Sequence, residues 1–235
     1  RMGSENGEDD EKPVHTVYLD AFWIDQYEVT NKQYQACVDA GTCEPPSSFN
    51  SSTHPSYYEN SEFDNYPVLY VNWNKANRYC EVWAGGDLPT EAQWEKAARG
   101  TDARIYPWGN DFNCNKGNFD DETKADSYVV PGGENCDGFP DTAPVGSFPD
   151  GRSPHEVYDM AGNVWEWVND YYQIDYYALL GGSASNPVGP VSGEYRVLRG
   201  GSWYGYDVVV RSAYRNRNDP TLSVNILGFR CARSQ

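Results

Sequence analysis

Six cysteines, at positions 37, 43, 80, 114, 136 and 231, are the residues of this chain best suited to covalent or metal chemistry. They include no Cys-x-x-Cys pair and are accompanied by only three histidines, so their spacing does not build a zinc site. They are read as disulfides, and the compartment therefore as oxidising and extracytoplasmic. His15 falls in an opening strand, while His54, before Pro55, and His155 fall in loops. Scattered in this way they read as surface or hydrogen-bonded residues rather than a metal cluster. Ser202 lacks the surroundings of a nucleophile elbow, which leaves a serine triad unsupported. The chain carries 35 Asp and Glu against 18 Lys and Arg, a net charge of -17. At that density, paired carboxylates say little about acid–base catalysis. The acidity favours solubility and repels phosphate backbones, so nucleic acid is not an expected partner. It also supplies hard oxygen ligands for cations such as calcium.

The elements that must position these groups are short. The chain has 235 residues, 15% of them aromatic, enough for a core built from large rings. No apolar run reaches spanning length, so insertion of this segment into a membrane is not expected. No signal peptide is recognisable, and the start at Arg1-Met2-Gly3-Ser4 reads as the C-terminal part of a longer chain. Val14 to Ile24 alternates as an early strand. Thr30-Asn31-Lys32-Gln33 is a capping box and predicts a helix to about Ala40, ended by Gly41. A second helix is predicted from Asn72 to about Trp83, and Thr90-Glu91-Ala92-Gln93 caps a third with Trp94, Ala97 and Ala98 on its apolar face. Residues 101–155 are rich in Gly, Pro, Asp and Asn and need fastening by metal ions and a Cys114–Cys136 bridge. Short strands are predicted near Asn163 to Trp167 and Tyr195 to Arg199. The class is α+β with much irregular chain.

An ordered set of segments resembles the formylglycine-generating enzyme (sulfatase-modifying factor) family. It includes Phe22-Trp23-Ile24, Glu28-Val29-Thr30-Asn31, Leu88-Pro89-Thr90-Glu91, Tyr106-Pro107-Trp108-Gly109-Asn110, Ala143-Pro144-Val145-Gly146 and Asp159-Met160-Ala161-Gly162-Asn163-Val164-Trp165-Glu166. It closes with Gly200-Gly201-Ser202-Trp203 and Gly228-Phe229-Arg230-Cys231. The resemblance implies one domain over 1–235 with the C-type lectin-like fold of that family. It implies one or two structural calcium ions. One would be held by the side chains of Asp159 and Glu166 and the main-chain oxygens of Gly162 and Val164. The other would take the Asn118 and Asp137 side chains and the carbonyls of Phe119 and Phe139. Without an ion, Asp159 and Asn163 would serve as turn formers. The family also implies a Cys80–Cys231 bridge, which leaves Cys37 with Cys43 and Cys114 with Cys136.

Enzymes of the resembled family oxidise a substrate cysteine with two cysteines that bind copper(I), an ion suited to soft thiolates. The corresponding positions here are Gly205 and Val210, so no copper and no such oxidase activity are expected. Histidine-bound iron, used by a related branch, lacks its ligands. Two runs inside the terminal frame, 204–210 and 221–227, instead carry Tyr, Val, Leu and Ile where loops favour Gly, Asn and Asp. Their content resembles that of variable proteins of diversity-generating retroelements, whose AAC codons are randomised at adenines. Every residue of both runs belongs to the set that NNC codons can encode, and Asn225 would be an unmutated template residue. The expected ligand contacts are Tyr204, Tyr206, Asp207, Val208, Val209, Tyr214, Thr221, Leu222, Val224 and Ile226, toward a protein or glycan. The alternatives are a fixed sensor or adhesion module of a larger exported or anchored protein, such as a kinase ectodomain, and a residual oxidase.

Overall fold

The computed structural model describes residues 1–120 and 136–235. Two strands open the chain, β1 (Thr16–Tyr18) and β2 (Phe22–Ile24). They were expected as one strand from Val14 to Ile24, and the chain instead breaks at residues 19–21. Asn186 makes the corner: its Oδ1 accepts from the Asp20 amide and its Nδ2 donates to Asp20 Oδ2, both at 2.8 Å. The two halves therefore enter different sheets.

Helix α1 (Asn31–Asp39) starts at the expected capping box, with Thr30 Oγ1 accepting from the Gln33 amide and Gln33 Oε1 from the Thr30 amide. Helix α2 (Trp73–Arg78) is capped by Asn72 and widens into a π turn over Tyr79–Trp83. Helix α3 (Glu91–Arg99) repeats the capping box with Thr90 and Gln93. It stops at Gly100, whose φ of +66° suits a residue without a Cβ.

Beyond the metal-loop region come β3 (Trp165–Tyr171), α4 (Tyr176–Leu179), β4 (Ser183–Ser185) and β5 (Arg196–Arg199). The chain closes with β6 (Asn216–Asn218), β7 (Leu227–Gly228) and β8 (Ala232–Ser234). Strand β3 begins two residues later than its expected start at Asn163 and runs on to Tyr171. Asn163 has a φ of +62° and uses its side chain to hydrogen-bond Glu28, so it belongs to the loop.

The main sheet has the order β6-β5-β3-β7, antiparallel except for the parallel β3–β7 pair. Strand β1 lies parallel to β4, and β2 antiparallel to β8. The largest apolar cluster joins this sheet to α1 and α2 through Trp167, Leu198, Phe229, Tyr34 and Val71. Trp167 is fully buried, and its Nε1 donates to the Val71 carbonyl at 3.1 Å. A second cluster packs Trp94, Ala97 and Ala98 of α3 on Val168 and Val197.

The cysteines pair as expected: Cys37 with Cys43, Cys80 with Cys231 and Cys114 with Cys136. The Cys80–Cys231 bridge ties the π turn after α2 to the last strand. Among the described residues no helix is long and apolar enough to cross a membrane.

A candidate ligand face and two candidate metal loops

Gly200 and Gly201, with φ of +93° and +79°, turn the chain out of β5. A Cβ on Gly201 would lie 2.4 Å from Val210 Cγ1, so Val210 seats directly on this glycine. The loop between them folds as two turns, with the Gly205 amide donating to the Ser202 carbonyl and the Val209 amide to the Tyr206 carbonyl. These turns decide which side chains face out. Tyr204, Tyr206 and Val208 are 53%, 42% and 38% exposed, and Asp207 is half-buried. Val209, expected as a contact, is 7% exposed and packs in the main core beside the fully buried Val210. It is therefore a core residue, because the turn that exposes Val208 directs Val209 inward.

Tyr214 is half-buried below the guanidinium of Arg211, which stands 5.6 Å from its ring centroid. In the second run Thr221 is exposed and is held to Asp219 Oδ1 by its amide at 2.8 Å and its hydroxyl at 2.6 Å. Leu222, Val224 and Ile226 are half-buried and rest partly on the main core. Their outward area is smaller than their sequence position suggests.

Both runs are fastened through main-chain carbonyls. In the first, the Gly205 carbonyl accepts from the Asp120 amide at 2.9 Å, that of Asp207 from Tyr106 Oη at 3.2 Å, and that of Val208 from Arg211 Nε at 2.9 Å. In the second, the Val224 carbonyl accepts from the Tyr70 amide at 3.2 Å, that of Asn225 from Trp203 Nε1 at 3.1 Å, and that of Ile226 from the Trp165 amide at 2.8 Å. All six donors belong to residues outside the runs. Ser47, which sequence reasoning did not single out, meets Ser223 at 2.5 Å between hydroxyls.

The candidate metal loops lie beneath this face. Asp159, Gly162 and Asn163 all have positive φ, and a Cβ on Gly162 would sit 2.1 Å from the Asn118 carbonyl oxygen. Asp159 Oδ2 accepts from the Gly146 amide at 2.7 Å. Glu166 is fully buried and accepts two bonds of 2.7 Å from Arg230 and one of 2.8 Å from Trp94 Nε1. Glu28, absent from the expected ligand set, completes the cluster by accepting from Asn163 Nδ2 at 2.6 Å and the Val164 amide at 3.3 Å.

Burial pushes the Asp159 carboxyl up to about 6, against the Gly146 hydrogen bond and Arg230, with Glu166 adding repulsion. Burial also raises Glu28 well above the usual carboxylate range, and the charges of Asp159 and Glu166 add to the effect. Three carboxylates thus share one guanidinium, that of Arg230.

In the second loop, Asn118 Nδ2 donates to the Asp141 carbonyl at 2.7 Å and to Asn163 Oδ1 at 3.2 Å. Among the described residues its buried Oδ1 has no hydrogen-bond donor. Asp137 accepts from the Phe119 and Phe139 amides, both at 2.8 Å. Among the described residues no group of three or more Asp, Glu, His or Cys side chains is placed to hold a metal ion. A cation in either loop would need main-chain oxygens, as the ligand sets of Gly162, Val164, Phe119 and Phe139 provide.

Gly205 and Val210 are both buried, and neither side chain can ligate a metal. All six cysteines are in disulfides. The histidines stay apart: His15 is buried against Tyr177 with its ring centroid 4.5 Å away, His54 lies on Phe63, and His155 sits beside Gly100.

The architecture is α+β with three disulfide bridges and much irregular chain, and the sequence assigns its family. The chain belongs to the Sulfatase-modifying factor enzyme 1-like domain family, which it matches over residues 1–235. It is 34% identical to the serine/threonine-protein kinase pkn1 of Chlamydia caviae over 98% of this chain but only 36% of the kinase. It is 33% identical to the formylglycine-generating enzyme of Bos taurus over 96% of this chain and 69% of the enzyme. Among solved structures, PvdO of Pseudomonas aeruginosa superposes with a TM-score of 0.76 at 27% identity, covering 100% of this chain and 90% of PvdO. Treponema denticola variable protein 1 superposes with a TM-score of 0.70 at 25% identity, covering 100% of this chain and 91% of that protein.

Proposed function

We propose that this is a non-catalytic ligand-binding domain that displays the runs 204–210 and 221–227, and that these runs are diversified by a retroelement. One observation carries the reading. The exposed Tyr204, Tyr206 and Val208 project from loops whose main-chain carbonyls are held by residues outside them. Side chains on such loops change without removing the bonds that fix the backbone. Tyr supplies area and a hydroxyl at low entropic cost. The structural likeness to the Treponema variable protein supports the same reading. Gly205 and Val210 leave no thiolate for copper(I), which supports the absence of oxidase chemistry. Calcium in the two loops and the three bridges hold the scaffold, and the bridges fit an oxidising, extracytoplasmic setting.

Sequencing the locus tests the retroelement reading. A reverse transcriptase gene and an adenine-rich template repeat covering residues 204–227 are expected; a locus lacking both sinks it. Copper(I) titration with a cysteine-peptide oxidation assay tests the chemistry, and stoichiometric copper with turnover would overturn it.

A fixed sensor module is the second reading, favoured by the likeness to the Chlamydia kinases, of which the chain spans 36%. Runs that are identical among independent isolates would select it.

A further inference from the structure

Resting on the ligand-face reading, we propose that the partner of this face is a protein that presents lysine or arginine side chains. The charges around the first run decide the sign. Arg211 is gripped by both oxygens of the fully buried Glu11, at 2.7 and 2.9 Å. Arg104 is held by Asp102, with its closest contact at 2.6 Å. Lys12 is paired with Asp9 at 3.2 Å. Among the described residues these cations are paired with local carboxylates.

Acids remain. Asp207 stands in the run itself, its Oδ1 taking the Val208 amide at 2.9 Å. Asp111 is exposed beside Trp108, whose ring stacks 5.3 Å from that of Tyr106, the residue bonded to the Asp207 carbonyl. Burial, the neighbouring Tyr206, and the charges of Glu8 and Asp10 push the Tyr214 hydroxyl up, against Arg211. With a net charge of -17 behind it, the surface repels polyanions and steers cationic surfaces inward.

The chemistry at the centre fits the same partner. Tyr204, whose ring meets that of Trp203 at 5.6 Å, and Tyr206 keep 53% and 42% of their surface exposed, aromatic area of the kind that packs on an ammonium or guanidinium group. Val208 and the 42% exposed Ile105 offer aliphatic area that the stems of Lys and Arg can cover.

The test is an NMR titration of the full chain with an alternating lysine–tyrosine peptide and with its glutamate–tyrosine counterpart. The lysine peptide is expected to shift the amides of residues 204–208 and Tyr214, and the glutamate peptide to leave them in place. Binding should weaken as added salt shortens the Debye length below about 10 Å. Asp207→Asn combined with Asp111→Asn should weaken it by roughly fivefold, as two exposed ion pairs allow. Glu156→Gln, at the cleft beside Phe22, should leave it unchanged. Equal shifts from both peptides would overturn the cationic partner while leaving the face itself standing. Shifts scattered over the surface, with the same loss in Glu156→Gln, would also overturn it. The face would then be judged separately by the tyrosine substitutions described in the Discussion.

Discussion

The indole Nε1 of Trp203 donates to the carbonyl of Asn225 at 3.1 Å and so joins the base of the first run to the second. Trp203 is itself anchored, its amide donating to the Asn163 carbonyl at 2.8 Å. One residue therefore links the candidate metal loop and both runs. Trp203→Phe keeps an aromatic ring and removes the donor together with part of the buried indole. The expected result is a loss of about 1 kcal/mol in stability, with faster amide hydrogen exchange in residues 221–226. Unchanged exchange there would show that the link does not hold the second loop.

Tyrosine and valine substitutions separate the display surface from its support. Tyr204→Ala and Tyr206→Ala are expected to cost about 1 kcal/mol of stability or less, below a core truncation. Each should weaken binding of a selected ligand by about 2 kcal/mol, as central aromatic contacts do. Val209→Ala should do the reverse and cost about 2 kcal/mol of stability, since its side chain is in the core. Chemical denaturation and calorimetric binding on the three variants check this. A destabilised Tyr204→Ala with intact binding would contradict the assignment of the face.

Calcium is expected to raise the unfolding midpoint of chelator-treated protein. At about a hundredfold excess over the dissociation constant, the gain is about 2.7 kcal/mol per site. The Oδ1 of buried Asn118, without a hydrogen-bond donor among the described residues, makes this residue the probe of the second loop. Asn118→Ala should lose part of the calcium increment rather than only lowering the midpoint in chelator. A midpoint indifferent to calcium in the parent protein would remove the ion from both loops.

Asp170 gives a pH signature. It is buried beside α3, with its Oδ2 accepting from the Glu91 amide at 2.8 Å. Burial and then the Glu91 charge push its carboxyl from 3.8 up to about 8, against that hydrogen bond, Arg215 and Arg196. Between those two values the folded chain holds a proton that the unfolded chain has released. Stability from this group therefore falls as pH rises from 3.8 to about 8 and levels off above. Asp170→Asn keeps an acceptor for Glu91 and removes the titration. Its denaturation midpoint should vary less with pH in that window than that of the parent, and an identical slope would refute the assignment.

The parts of this fold that a local rule governs were legible in the sequence. Thr30 with Gln33 and Thr90 with Gln93 announce their helices because both halves of a capping box lie within one turn. The break between β1 and β2 was not legible, because its cause, Asn186, is 166 residues from Asp20. The same holds for the charged core. Arg199 reaches Glu91 and Glu95, and Arg215 takes both oxygens of Glu91, across more than a hundred residues. Those arginines look like frame residues in sequence and become buried partners only once α3 lies across β5. At the face, loop position alone treated Val208 and Val209 alike. The Tyr206–Val209 turn separates them, and no spacing rule records it.

The six carbonyl acceptors in the two display loops have a consequence beyond anchoring. Every residue type offers the same carbonyl, so a substitution at 205, 207, 208, 224, 225 or 226 leaves the acceptor in place. The backbone course of these loops is therefore set by residues outside them, whereas Val209 and Val210 are fixed by the core they pack in.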